Sequence, residues 1–202
     1  MKPIFIGITG GSGAGKSTLC DALIVKYPEK IESIRLDDYF KPKDERPVLG
    51  DIVNHDHPDS LHFDQLADDL IELSEGKSVV INTRNTHLNP NYEETKIKIP
   101  FEFHPKPVIL VEGFLLLSNE RVKEILDESI FLDAAHDTRW DRRVHFKNEE
   151  YEKSVIIPMH DEHMEPTKEH ASHVIDISDL SKEQVLEKVE DIISHAYPAL
   201  NA

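Results

Sequence analysis

A chain of 202 residues with 39 acidic and 23 basic side chains carries a formal net charge of −16, which speaks against a surface built for a nucleic-acid polymer. Hydrophobic residues make up 39% of it, enough for the core of one α/β domain, and no apolar run approaches membrane-spanning length. The single cysteine, Cys20, can form no internal disulfide and reads as a small buried residue of a cytoplasmic protein.

The first predicted strand, about 3–9, contains Ile4-Phe5-Ile6-Gly7-Ile8 and runs into Gly10-Gly11-Ser12-Gly13-Ala14-Gly15-Lys16-Ser17. That string matches G-x-x-x-x-G-K-[ST], a loop that cradles nucleotide phosphates. Glycines are needed because successive backbone N–H groups must turn inward around an anion, in conformations that a Cβ hinders. Lys16 is expected to reach the β- and γ-phosphates and Ser17 to hold Mg²⁺, while a helix over 16–27, which includes the run Thr18 to Ile24, adds its positive end to the cradle. The nucleotide site therefore comprises residues 10–18, with ATP and Mg²⁺ as the implied cofactors.

A second strand, 31–36, ends at Asp37-Asp38. A carboxylate at the C-terminal end of such a strand sits beside the phosphate loop and can take a proton from an attacking hydroxyl, although the pair would equally serve to cap a turn. Residues 41–59, with Pro42, Pro47 and Pro58, read as an irregular loop, followed by a helix over 61–75 closed by Gly76. Ser78-Val79-Val80-Ile81 and the alternating Ile97, Ile99, Phe101 and Phe103 suggest a small β excursion within 77–105. A third strand, 107–112, ends in Glu112, a position suited to holding Mg²⁺ or its water. The remaining elements are a helix at 119–127, strands at 130–133 and 174–177, and helices at 137–150, 151–165 and 182–195. The last is announced by a Ser181/Gln184 capping box. On the 137–150 helix, Arg139, Arg142 and Arg143 could stabilise a transferring phosphoryl group or form a solvated charged face. The twelve histidines include helix-spaced pairs but no zinc-like partner set, so no metal other than Mg²⁺ is expected.

Five strands alternating with helices predict a P-loop NTPase-type, doubly wound, mainly parallel five-stranded sheet with helices on both faces. It forms one domain over 1–202. Excursions at about 37–60 and 77–105 would shape the acceptor site, and a short lid spans about 139–151.

Several strings occur in an order that carries a resemblance: Gly7 to Thr18, Asp37-Asp-Tyr-Phe-Lys-Pro42, Asn54-His-Asp-His-Pro-Asp59, Val108-Ile-Leu-Val-Glu-Gly113 and Asp137-Thr-Arg-Trp-Asp-Arg-Arg143, then Tyr151-Glu-Lys and Pro166-Thr-Lys. This series resembles the uridine kinase family of P-loop phosphotransferases over most of residues 4–195. Asp37-Asp-Tyr-Phe-Lys-Pro42 and Val111-Glu-Gly-Phe-Leu-Leu116 are also similar to nicotinamide riboside kinases. The resemblance implies an ATP-dependent kinase acting on the 5′-hydroxyl of a ribonucleoside, uridine or cytidine, with Asp37 as the base and Lys16 and Arg143 completing the catalytic set. It implies further that Asp56 binds the ribose hydroxyls and that Ser17 and Glu112 serve the metal. Tyr39, Arg84 and His87 join Asp37, Asp56 and Arg143 in the acceptor-binding set.

Two departures stand out. Uridine kinases carry a Pro-x-Tyr-Asp segment lining the base pocket, where this chain has Asn82-Thr-Arg84-Asn-Thr-His87. Their lid also continues with further arginines, where this chain runs through Lys147 directly into Tyr151. Nicotinamide riboside, a pantothenate-like alcohol, or a regulatory role without turnover are the alternatives these departures admit. The partner is a small molecule, not a membrane; family members commonly self-associate, but no segment marks an interface.

Overall fold

The computed structural model describes residues 2–143 and 147–201. Its centre is a parallel sheet in the order β2-β7-β1-β8-β9, formed by Ile4–Gly10 (β1), Ile31–Arg35 (β2), Val108–Glu112 (β7), Glu128–Asp133 (β8) and His173–Asp176 (β9). The inner strands are apolar on both faces because helices cover both. Ile6, Ile8 and Leu110 are fully buried with α1 (Lys16–Lys26) and α8 (Lys182–Ala196) on one side. Ile109 and Val111 pack with α2 (Phe63–Ser74) on the other. The five predicted strands and the parallel arrangement are all present. So is the Ser181/Gln184 capping box, with Ser181 Oγ accepting from the Gln184 N–H at 3.3 Å and Gln184 returning a 2.8 Å bond.

Two excursions leave the sheet. Between β2 and α2 the chain forms a small hairpin of β3 (Val48–Leu49) and β4 (Ile52–Val53), turned at Gly50 with φ +60°. The loop predicted at 41–59 is thus irregular but contains this hairpin and two 3₁₀ turns. Between α2 and β7, Val79–Thr83 (β5) and Ile99–Phe103 (β6) pair antiparallel around a four-residue helix, Tyr92–Thr95 (α3), matching the predicted excursion.

Three helices differ from expectation. Over 119–127 only Glu120–Lys123 (α4) is helical, capped by Asn119 accepting from the Val122 N–H at 3.1 Å. Asp127 is needed elsewhere: its carboxylate accepts from the Phe5 N–H at 2.8 Å, which sets the register by which the chain enters β8. The helix expected over 137–150 is His136–Arg142 (α5), broken at Arg143, whose backbone is extended. Residues 144–146 of the predicted lid lie outside the described residues. From Glu149 the chain is helical through Met164, as expected over 151–165, but not uniformly α. Glu149–Tyr151 (α6) and Ile157–Met159 (α7) are each followed by a π-helical turn, Glu152–Ile156 and His160–Met164, before a 3₁₀ segment over Glu165–His170. Pro158 and Pro166 have no N–H for a regular ladder, and a wider turn accommodates such a gap. Among the described residues, no helix is long and apolar enough to cross a membrane.

Candidate active site

The C-terminal ends of β1, β2 and β7 open onto one cleft of ≈ 710 Å³, walled by the phosphate loop on one side and the two excursions on the other. This is where a doubly wound sheet receives its ligand, because the strand order reverses there and the connecting loops part. Two glycines of the loop are required for different reasons. Gly15 has φ +86° with open space around it, so its requirement is conformational alone. Gly13, at φ +89°, would also bring a Cβ to 2.2 Å from the Arg139 carbonyl oxygen. Ser12, Gly13, Gly15, Lys16, Ser17 and Thr18 face the cleft, whereas Ala14 is buried behind the loop.

Lys16 is buried, and its Nζ donates to the carbonyls of Gly10 at 2.9 Å and Gly11 at 3.3 Å. Burial pushes its pKa down, opposed by the nearby carboxylates of Glu112 and Asp37. Ser17 Oγ donates to Glu112 Oε1 at 2.8 Å. Glu112 is buried, with burial raising its pKa against the pull of Lys16 and Arg35, whose Nε lies 3.5 Å from Oε2. That Oε2 makes no hydrogen bond. A buried carboxylate oxygen without a donor, adjoining a serine hydroxyl, is the oxygen-only chemistry a hard divalent cation takes. Ser17 and Glu112 therefore fit Mg²⁺, and the loop fits the phosphates that would share it.

Across the cleft, Asp37 and Asp38 sit on a 3₁₀ turn, Leu36–Tyr39. The turn is pressed against β7 so closely that a Cβ on Gly113 would come 2.5 Å from Leu36 Cβ. The two carboxylates part company here. Asp38 turns to β5, accepting from Thr83 Oγ1 at 2.6 Å and the Arg84 N–H at 2.7 Å. Asp37 faces the cleft and pairs with Nη2 of Arg84. Asp56 also lines the cleft and accepts from the Tyr151 hydroxyl at 3.0 Å, while the same hydroxyl accepts from the His55 N–H at 2.9 Å. Burial raises the Asp56 carboxyl to about 6, with the Tyr151 bond and Arg143 acting in the opposite sense. Phe40 and Phe114 stack at 6.3 Å and 29° beside these acids.

Arg143, expected to meet phosphate or acceptor, lines the cleft but is already engaged. It is buried, pairs through both terminal nitrogens with Glu152, and donates to the Ser12 carbonyl at 3.3 Å. Through it the phosphate loop is tied to the helical segment that also grips Asp56. Removing one member of a buried ion pair leaves the other uncompensated, so Glu152→Ala is expected to destabilise the fold by about 3–5 kcal/mol. Thermal unfolding should register this as a fall of roughly 6–20 °C. A melting temperature within a degree of wild type would show that Arg143 finds another partner.

Two expected acceptor-binding residues lie elsewhere. Tyr39 is 3% exposed, packed in the core on the α2 side, and its hydroxyl donates to Asp69 Oδ2 at 2.7 Å. It braces the Asp37 turn against α2, because a side chain two positions on in a 3₁₀ turn points away from the cleft. His87 is exposed on the turn after β5, its N–H held by Asn85 Oδ1 at 3.0 Å, and is not part of the cleft wall. Conversely, Arg35, Tyr151 and Glu152 serve the site without having been singled out. Tyr151 opens a string already noted, but its partner lies 95 positions away in sequence. Arg142 lines the cleft and donates to the carbonyls of Ile177 and Ser178. Lys147 lies over the Trp140 ring at 5.7 Å.

A parallel five-stranded sheet with a phosphate loop after its central strand, an acid closing the neighbouring strand and a further aspartate facing the same cleft is the arrangement of a P-loop kinase. The model of the phosphoribulokinase / uridine kinase family matches residues 5–153, and the chain belongs to that family. It is 32% identical to a uridine kinase of Streptococcus gordonii over 96% of this chain and 98% of that protein. It is 33% identical to a uridine kinase of Leuconostoc citreum over 87% and 88% of the two chains. In fold it is similar to phosphoribulokinase from Rhodobacter spheroides, with a TM-score of 0.62 at 16% identity over 88% of this chain and 73% of that one.

Proposed function

We propose that this kinase transfers the γ-phosphoryl group of ATP, with Mg²⁺, to the 5′-hydroxyl of a ribonucleoside, uridine or cytidine. The observation that carries this reading is the convergence on one cleft of the phosphate loop, two separate carboxylates and the Phe40–Phe114 pair. The curated relatives reported above are named uridine kinase. The aromatic pair offers a face for a planar base. Asp56 offers two acceptor oxygens, one already holding the Tyr151 hydroxyl, to a vicinal diol. Asp37 then accepts the 5′-hydroxyl proton as that oxygen attacks the γ-phosphorus in line with the departing ADP. Lys16 leaves the carbonyls of Gly10 and Gly11 to meet the phosphates, and the N–H groups of the loop hold their oxygens. Held by Ser17 and Glu112, Mg²⁺ would neutralise charge on the β- and γ-phosphates. The same reading places the chain in the cytoplasm.

The test is ADP release with ATP and Mg²⁺ across uridine, cytidine, adenosine, nicotinamide riboside and pantothenate. Turnover is expected with the pyrimidine nucleosides. It should depend on pH in a defined sense: Asp56 must be ionised to accept both ribose hydroxyls, so the acceptor KM should fall as pH rises through about 6. Loss of the Tyr151 bond, which pulls that pKa down, should move the inflection to higher pH in Tyr151→Phe. Turnover confined to a non-nucleoside alcohol overturns the proposal.

A further inference from the structure

In a chain of net charge −16, the acceptor end of the cleft gathers cations. Arg84 is on the cleft wall, pairs with Asp37 through Nη2, and lies 5.7 Å from the Phe40 ring centre. Arg46 lies over the same ring at 4.6 Å, donates from Nε to the Lys41 carbonyl at 2.7 Å, and brings Nη1 to 2.7 Å from Nδ1 of His55, another cleft residue. Lys98 donates to the Asp38 carbonyl at 2.8 Å. Their fields add: besides burial, Arg84 pushes down the pKa of Arg46, His55 and Lys98, and Arg46 does the same to His55 and Lys98.

The acids at this end are already engaged. Asp38 is held by Thr83 and the Arg84 N–H, Asp56 by Tyr151, and Glu93 by Lys96 at 2.8 Å. Asp37 meets Arg84 but is the oxygen pair that an acceptor hydroxyl must reach. A guanidinium presents five N–H donors in a rigid fork, and Asp37 is met by one nitrogen of it. The fork beside the aromatic pair is therefore set to donate to whatever ring stacks there.

Resting on the ribonucleoside reading above, we propose that Arg84, backed by Arg46, selects the acceptor by its base: it donates to a ring carbonyl oxygen of a neutral heterocycle and disfavours a ring with a fixed positive charge. A uracil ring has the first property, and the pyridinium ring of nicotinamide riboside has the second. Both the hydrogen bond to a charged donor and the repulsion work in the same direction, for a discrimination of roughly 10- to 100-fold or more. Arg46 reaches the base through its field and through the position of Phe40 and His55.

The experiment compares kcat/KM for uridine and for nicotinamide riboside in the wild type, Arg84→Gln, Arg84→Lys and Arg46→Gln, with thermal melts to verify folding. Any effect of Arg84 on Asp37 is common to both acceptors, because the same 5′-hydroxyl reacts, and cancels in the ratio. The wild type should favour uridine by roughly 10²-fold. Arg84→Gln should shrink that ratio about tenfold or more, chiefly through the uridine KM, and Arg46→Gln should shrink it less. Arg84→Lys keeps the charge and should keep most of the discrimination against the pyridinium while weakening uridine. An unchanged ratio in well-folded Arg84→Gln and Arg46→Gln, or a wild-type preference for nicotinamide riboside, overturns the proposal while leaving the kinase reading intact. No turnover with any ribonucleoside overturns that reading itself, and this proposal falls with it.

Discussion

Lys16→Ala is expected to lower turnover by at least about 10²- to 10³-fold, the loss that follows removal of one preorganised charge stabiliser from an active site. Lys16 is the cation of the phosphate loop, and its side chain is buried at the wall of the cleft. Its ammonium is already held at the loop by Gly10 and Gly11, so little reorganisation is needed when phosphate oxygens take the place of those carbonyls. Alanine removes the charge and leaves the two carbonyls without their donor, so nucleotide affinity should fall along with kcat. Steady-state ADP release and a direct nucleotide titration check the two effects separately. A variant within tenfold of wild type would mean that the phosphoryl charge is neutralised from another direction, with Arg143 freed from Glu152 as the residue to examine.

Asp37→Asn should cost at least about 10²-fold in kcat while leaving ATP affinity nearly unchanged. The substitution keeps the shape of the side chain but takes away its capacity to accept a proton. It also removes the ion pair with Arg84, which spans from the end of β2 to the end of β5. ATP binding should be spared because Asp37 pairs with Arg84, whereas Lys16 is held by the loop's own carbonyls at Gly10 and Gly11. Single-turnover measurements with saturating acceptor isolate the chemical step. Near-full activity in Asp37→Asn would rule out this aspartate as the base. The neighbouring Asp38 is no substitute, since Thr83 and the Arg84 N–H already hold its carboxylate.

Asp37 and Asp38 also illustrate how far the linear chain can be read. Both stand at the end of a strand with the same chemistry, and only the direction of each side chain in a 3₁₀ turn separates the one facing the cleft from the one bound to β5. Tyr39, next in line, was expected at the acceptor and belongs to the core for the same reason. The truncated helix at 119–127 and the break at Arg143 have tertiary causes too. Asp127 is drawn into strand register by Phe5, and Arg143 is drawn to Glu152 and Ser12.

What the sequence alone determined is whatever depends on contiguous residues. A phosphate loop is a property of local backbone conformation, so its glycines, Lys16 and Ser17 are legible in one string. Strand runs buried on both faces and alternating with helices predict a parallel sheet, and the acid closing β7 follows from its place at a strand end. Only the tertiary structure decided which residues share the cleft across long separations: Tyr151 with Asp56, Arg84 with Asp37, Arg143 with Ser12. Such pairs lie from 47 to 131 positions apart, and no periodicity encodes them. Their geometry arises when the excursions and the broken helical segment pack against the sheet, where the burial of every neighbouring side chain sets which charge finds which partner.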